Sequence, residues 1–305
     1  MDCVLSIHGL SKKYKKQMAV NGVDMHIDRG DIYGFVGENG SGKTTVIRLI
    51  TGLIFPHAGS FRLFGVNHDS KEIIKARSRI GAIVETPSIY MNMSAYNNLK
   101  TQCRILGVDD DEKIRSVLCD VGLGELYGEK KHASNFSLGM RQRLGIAMAL
   151  LGDPEFLILD EPMNGLDPAG IVEIRELILR LNRERGITFL ISSHILSELS
   201  LVATKYGIIS KGRLIKEITA EQLHNECAKA VAISADDPQK LARVAAEAVD
   251  NRIECTAEGV KIFGDTDLNA LLSAIIGNGI RILSVHCSET SFEDYYLSVI
   301  GGARA

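Results

Sequence analysis

Gly37-Glu38-Asn39-Gly40-Ser41-Gly42-Lys43-Thr44-Thr45 is the stretch that decides the fold. It follows an apolar run, Ile32-Tyr33-Gly34-Phe35-Val36, and leads into the helical pattern Thr45-Val46-Ile47-Arg48-Leu49-Ile50. Strand, glycine loop and helix in that order are the context that a phosphate loop of the form G-x-x-x-x-G-K-[ST] requires. Glycines let successive backbone N–H groups converge on phosphate oxygens, where a Cβ would obstruct them. The helix N-terminus adds unpaired N–H groups and the positive end of its dipole. The residues from Gly37 to Thr45 are therefore expected to hold nucleotide phosphates. Lys43 would reach the outer phosphates and the Thr44 hydroxyl would meet Mg²⁺.

Outward from this loop the chain reads as an α/β protein. Residues 3–8, 23–28 and 31–36 read as strands, 60–65 as a short strand and turn, and 80–84 as a compact buried strand. From Ser94 to Gly152 strands disappear, and apolar residues in 113–121 and 141–151 recur at helical spacing. Strands 156–159 and 188–192 flank a helix at 169–185, a βαβ unit that implies a parallel sheet. A helical subdomain, 94–152, is thus inserted into one core that spans 1–219. Beyond it the pattern restarts. Strand 230–235, helix 237–249, strands 252–256 and 259–263, helix 267–277, strand 280–286 and helix 291–300 come in turn. The order βαββαβ predicts a small ferredoxin-like α+β domain over 220–305.

Four chemically loaded features fall at the carboxyl ends of predicted buried strands: the phosphate loop, Glu85, Asp160-Glu161 and His194. In open α/β sheets that edge is where ligands bind. Asp160 closes Phe156-Leu157-Ile158-Leu159 and is placed to hold Mg²⁺. Glu161 is placed to polarise an attacking water as general base. The plain alternative is that Asp160-Glu161-Pro162 only caps a turn. His194 can donate to a γ-phosphate oxygen from one ring nitrogen and accept at the other, although a lone histidine is more often structural.

The remaining composition narrows the class. The net charge of −3 argues against broad nucleic-acid binding. The one basic cluster, Lys12-Lys13-Tyr14-Lys15-Lys16, is short and reads as a solvated loop. No apolar run approaches the length of a transmembrane helix. The start, Met1-Asp2-Cys3-Val4-Leu5, lacks the pattern of a signal peptide. The six cysteines are scattered without a C-x-x-C, as reduced thiols of a cytosolic protein would be. A membrane role would come through a partner.

Together these motifs resemble the nucleotide-binding subunit of an ABC transporter over residues 1 to about 220. Ser137-Leu138-Gly139-Met140-Arg141-Gln142 is similar to the family signature L-S-G-G-Q, with Phe136 for the first residue, Leu138 for the first glycine and Met140 for the glutamine. From its residues alone, Ser137 reads as the N-cap of a helix at 138–150. The resemblance implies more: that Ser137, Gly139 and Met140 complete the ATP site of a second copy in a homodimeric ATP sandwich. It also implies that Asp167, in Gly165-Leu166-Asp167, lies in the D-loop, that His194 is the switch histidine, and that Tyr14 stacks on adenine. Most of the family has glutamine where Glu85 stands, touching Mg²⁺ and sensing the permease, so the resemblance implies that Glu85 ligates Mg²⁺ through an anionic oxygen or accepts from a cationic residue of the permease. The acid and the altered signature resemble the bacitracin-resistance and lantibiotic-immunity exporters. The resemblance thus implies an ATPase using ATP and Mg²⁺, cytoplasmic, and peripheral on the inner membrane face through an integral-membrane permease. A soluble nucleotide-switched module acting on nucleic acid or the ribosome is the competing class. Such proteins usually carry two ATPase cores or long coiled coils, whereas this chain has one core and no heptad run.

Overall fold

The computed structural model describes residues 2–302 apart from 109, 228, 229, 250, 257, 265, 289 and 290. The chain divides into two compact units, one running to Thr219 and the other from Ala220 to Gly302. The first opens with strands β1 (Cys3–Tyr14), β2 (Gln17–Asp28) and β3 (Ile32–Val36), followed by helix α1 (Lys43–Thr51). Next come β4 (Ala58–Leu63), β5 (Val66–Asn67), α2 (Ile73–Arg77) and β6 (Ile80–Ile83). Helices α3 (Ala95–Leu106), α4 (Asp111–Asp120) and α5 (Leu138–Leu150) form the inserted helical segment. The unit closes with β7 (Phe156–Asp160), α6 (Pro168–Arg185), β8 (Thr188–Ser193), α7 (Leu196–Ser200), β9 (Lys205–Ser210) and β10 (Arg213–Thr219).

Two sheets share one apolar core. A four-stranded antiparallel sheet has the order β2-β1-β4-β5, and a six-stranded sheet the order β10-β9-β3-β8-β7-β6. In the larger sheet every pairing from β9 to β6 is parallel, and β10 joins antiparallel at one edge. All five residues of β3 and of β7 are buried, as in parallel strands covered on both faces. Val46, Ile47, Leu49 and Ile50 of α1 bury in the same cluster as Leu5, Ile7 and Phe61 of the first sheet and Phe35 and Ile158 of the second. At roughly 25 cal/mol per Å² such apolar burial is the main force joining the layers. Helix caps follow their chemistry. Ser94, Asp110 and Ser137 accept from backbone N–H groups at the starts of α3, α4 and α5, and Gly107 ends α3 in the left-handed region.

Strands β1 and β2 extend well beyond the six residues that alternation predicts. Register shifts between Ile7 and Leu10, and again at Lys12, carry the ladder past the point where period-two patterning fails. The hairpin of β9 and β10 carries no sequence expectation. It turns through Lys211 (φ 48°) and Gly212 (φ 79°), a primed turn made without the usual Asn-Gly.

At the amino ends of the parallel strands, Glu155 accepts from Arg79 Nε (2.5 Å) and Arg79 Nη2 (2.8 Å), and from Arg29 Nη1 (2.9 Å). The hydrogen bonds from Arg79, aided by Arg29, lower its pKa from 4.5 to about 2. A lowered carboxylate pKa stabilises the fold above the unfolded value, and the contribution fades as pH falls from about 4.5 toward 2. After screening of this half-exposed group, Glu155→Gln is expected to cost about 1 kcal/mol at pH 7. Chemical denaturation of both proteins at pH 7 and at about pH 3, where more than half of the contribution is gone, measures it. A gap that fails to narrow with acid would remove the ion pair as the cause.

The second unit contains α8 (Ala220–Glu226), β11 (Ala230–Ala235), α9 (Pro238–Ala248), β12 (Arg252–Cys255) and β13 (Gly259–Phe263). It continues through α10 (Leu268–Gly277) and β14 (Ile282–Ser288) to α11 (Phe292–Gly302). Its antiparallel sheet has the order β12-β13-β11-β14, the ferredoxin-like arrangement. Leu241 and Val244 of α9 and Leu271 and Ile275 of α10 share a core with Val231, Ile233, Val260 and Ile262 of the sheet. The short helix α8 carries no sequence expectation, and β14 lies two residues later than the pattern predicts.

Candidate functional site

Adjacent parallel strands β3, β8, β7 and β6 deliver the phosphate loop, His194, Asp160-Glu161 and Glu85 to one edge of the sheet. The loop from Gly37 wraps into α1, whose N-cap is Gly42 at φ 111°. Two glycines are fixed by space. A Cβ on Gly37 would lie 2.5 Å from Ile209 O, and one on Gly42 would lie 2.5 Å from Ala19 O. The loop is also tied down from outside. Gly37 N–H donates to Ser193 O (3.2 Å), and Gly212 N–H donates to Ser41 O (2.8 Å).

A cleft of ≈ 270 Å³ opens over this loop, lined by Asn39, Gly40, Ser41, Gly42, Lys43, Thr44 and Thr45, together with Tyr14, Gln17, Ala19 and Glu161. Lys43 is 5% exposed, and its Nζ donates to Gly37 O (2.6 Å) and more weakly to Glu38 O (3.3 Å). The same ammonium lies 3.2 Å from Glu161 Oε1. Glu161 Oε2 in turn meets His194 Nδ1 at 2.7 Å. Lys43, Glu161 and His194 therefore form a continuous polar chain, drawn from three separate strand ends.

Glu161 adopts φ 51°, a left-handed conformation that costs a non-glycine residue about 1 kcal/mol or more. Ser192 holds it there. Ser192 Oγ accepts from Glu161 N–H (2.9 Å) and donates to Asp160 Oδ1 (2.5 Å). Sequence reasoning gives Ser192 no role. The signal lies in the ladder, where Asp160 and Ser192 are register partners. Asp160 Oδ2 is buried without a hydrogen-bond partner, as is Ser41 Oγ. A buried, unpaired carboxylate oxygen fits a hard divalent cation, and an unpaired hydroxyl at the loop fits an anion. The donor set thus suits Mg²⁺ and a polyphosphate.

Glu85 differs from the others. It too has positive φ (64°), but its Oε1 accepts from Arg48 Nη2 at 2.5 Å, and its side chain is mostly exposed. It does not line the phosphate cleft. Its neighbours Val84, Thr86 and Pro87 instead line a larger cleft of ≈ 550 Å³, shared with Gln102 of α3 and Met148 of α5.

Tyr14 lies at the rim of the phosphate cleft, half-exposed, with Lys12 Nζ 5.7 Å from its ring centre. Ser137, Gly139 and Met140 lie outside that cleft, at the start of α5. Ser137 Oγ accepts from Met140 N–H (3.2 Å), and a Cβ on Gly139 would meet nothing closer than 3.9 Å. Asp167 caps α6 by accepting from Gly170 N–H (3.0 Å). The turn before it packs on the start of α5, since a Cβ on Gly165 would touch Leu138 at 3.4 Å.

Comparison with known proteins agrees with this geometry. The family model described as ABC transporter matches residues 20–164. The chain is 42% identical, over 99% of both chains, to the bacitracin transport ATP-binding protein BcrA of Bacillus licheniformis. It is 44% identical to the lantibiotic transport ATP-binding protein SrtF of Streptococcus pyogenes, over 70% of this chain and 90% of that protein. Among solved structures, cbiO1 of Clostridium perfringens, part of the ABC transporter complex cbiONQ, superposes with TM-score 0.66 and 28% identity, over 74% of this chain and 92% of the other. Among the described residues, no helix is long and apolar enough to cross a membrane. With a phosphate cleft built on three strand ends and relatives matched from end to end, the chain belongs to the ABC transporter family as one of its ATP-binding, ATP-hydrolysing proteins.

Proposed function

We propose that the chain is the motor subunit of an exporter of bacitracin- or lantibiotic-like peptides, acting as a homodimer on the inner membrane face beneath a separate integral-membrane permease. One observation carries the catalytic part: Glu161 is held between Lys43 (3.2 Å) and His194 (2.7 Å) at the rim of the phosphate cleft. Backbone N–H groups of the loop bind the triphosphate, Lys43 meets its outer oxygens, and Tyr14 stacks on the base. Glu161 takes the proton of the attacking water, and His194 orients Glu161 through Nδ1, 2.7 Å from Oε2. Thr44 and Asp160 would hold Mg²⁺. Bound there, the ion neutralises charge developing on the phosphate oxygens.

The surface formed by Ser137, Gly139 and the Gly165–Asp167 turn is open at Gly139 and carries the capped N-terminal ends of α5 and α6, where the helix dipoles are positive. Those features suit it to the triphosphate bound by a second copy. The peptide cargo and the permease rest on the relatives' names and on the cleft beside Glu85. That cleft is mainly apolar, and two residues beyond its lining Ser88 come exposed Tyr90 and Met91, side chains that adapt well to a partner helix. The domain from Ala220 to Gly302 is an accessory appendage in this reading, because every phosphate contact lies before it.

Glu85 is the coupling residue. Its pairing with Arg48 and its place outside the phosphate cleft lining support a role in coupling over one as a metal ligand. Glu85→Gln keeps the shape and removes the charge. It should leave the ATP affinity of the isolated subunit within a few-fold, yet lower the ATPase of the assembled complex, and resistance to a bacitracin-class peptide, by about tenfold or more. Equal effects on isolated subunit and complex would reject the coupling role. A chain and permease that give no resistance to any peptide of this class would reject the cargo.

A further inference from the structure

A second constellation lies at the far end of the first sheet. Cys3 is the cross-strand partner of Asp28, and His26 sits two residues before Asp28, so all three share the outward face of the β1–β2 ladder. Cys3 Sγ lies 3.6 Å from His26 Nδ1, and His26 Nε2 lies 2.9 Å from Asp28 Oδ1. One ligand atom from each falls within 4.8 Å of the others.

The spacing has a specific meaning. A tetrahedral zinc ion bonded to sulfur at about 2.3 Å and to nitrogen at about 2.05 Å holds those two atoms about 3.6 Å apart. The carboxylate on the other ring nitrogen matches the second half of the pattern. Metal-bound histidines hand their remaining N–H to a carboxylate, which fixes the tautomer and the ring orientation. The backbone beneath the imidazole is clamped as well. His26 N–H donates to Glu217 Oε1 (3.3 Å), and His26 O accepts from Lys205 Nζ (2.7 Å). The Lys205 ammonium is thereby engaged by a carbonyl, with the Glu217 carboxylate 3.6 Å away.

We propose that Cys3, His26 and Asp28 form a site for a borderline-soft divalent cation of the zinc class. Cys3 Sγ and His26 Nδ1 are its protein ligands, Asp28 fixes the imidazole through Nε2–H, and water completes the coordination. The site is separate from the nucleotide's metal. Cys3 begins the strand that Tyr14 ends, on the order of 30 Å away along β1. Thiolate and imidazole favour zinc-like ions, whereas the hydroxyl and carboxylate oxygens of the phosphate cleft suit Mg²⁺. A bound ion would staple the start of β1 to the end of β2.

Cobalt(II) titration of the nucleotide-free, full-length protein tests this, without a histidine tag and with exposed Cys119, Cys255 and Cys287 changed to Ser. A thiolate-to-cobalt charge-transfer band should grow in the near ultraviolet and saturate at one equivalent. The phosphate cleft offers no thiolate, so the band is blind to it. Cys3→Ser and His26→Ala should each abolish it, and Asp28→Asn should weaken cobalt binding about tenfold or more. Zn²⁺ should raise the melting temperature of the parent and not that of the first two variants. No band, a band that survives Cys3→Ser or His26→Ala, or unchanged cobalt affinity in Asp28→Asn would overturn the site. These side chains face away from the buried side of the sheet, so the substitutions leave its apolar core in place.

Discussion

Glu161→Gln is expected to bind ATP about as well as the parent and to lose turnover by about 10²- to 10⁴-fold. The amide keeps the shape of the side chain and can still contact Lys43 and His194, which lie 3.2 and 2.7 Å from the two carboxylate oxygens. It cannot take a proton from water. In the proposed sandwich cleavage dissolves the ATP-bridged pair, so dimers should accumulate in ATP and Mg²⁺. Phosphate release reads the first effect, and light scattering in the presence of nucleotide reads the second. Turnover within tenfold of the parent would sink the assignment of Glu161 as base. A variant that neither hydrolyses nor dimerises would sink the sandwich built on Ser137 and Gly139.

Lys43→Ala should act earlier, on binding. The ammonium is buried, and its nearest partners are the carbonyl of Gly37 (2.6 Å) and Glu161. Removing it deletes a charge-assisted contact to the outer phosphates, and it leaves the Glu161 carboxylate facing the triphosphate without its cation. A loss of about 2–3 kcal/mol is expected, which is about 30- to 150-fold in ATP affinity. Hydrolysis should fall with it, while far-ultraviolet dichroism stays that of the parent. Calorimetric titration with ATP measures the change. Unchanged affinity together with unchanged turnover would mean that the cleft over this loop is not where nucleotide binds.

Much of the fold and of the site was legible in the chain because the relevant signals are local. A glycine loop after an apolar run and an acid pair closing another need no long-range information. What escaped is what depends on neighbours far away in sequence. Ser192 matters because the ladder sets it beside Asp160, and a serine within an apolar strand carries no mark of that. Arg48 reads as an ordinary helix cation until β6 brings Glu85 to it. The long first hairpin escaped for another reason, since its bulges reset the inside-outside alternation that betrays a strand. Glu85 is the instructive case. It follows the end of β6 as expected, yet that position did not reveal its pairing with Arg48 or its place outside the phosphate cleft.

The order of the large sheet also sets a timetable for synthesis. Strand β3, which feeds the phosphate loop, lies between β8 and β9, and its first residue, Ile32, pairs with Phe189. The loop itself is anchored by Ser193 O and by the N–H of Gly212. A ribosome adding about 5–20 residues per second needs on the order of 10–30 s to reach those partners after β3 is made. Throughout that interval a fully apolar strand has no partner on either side, and it depends on the first hairpin or on a chaperone for cover. The motif that announces the site is among the earliest parts translated, and the site is among the last to exist. A nascent chain halted before Thr188 carries every residue from Gly37 to Thr45 but neither the Ser193 nor the Gly212 anchor of the loop.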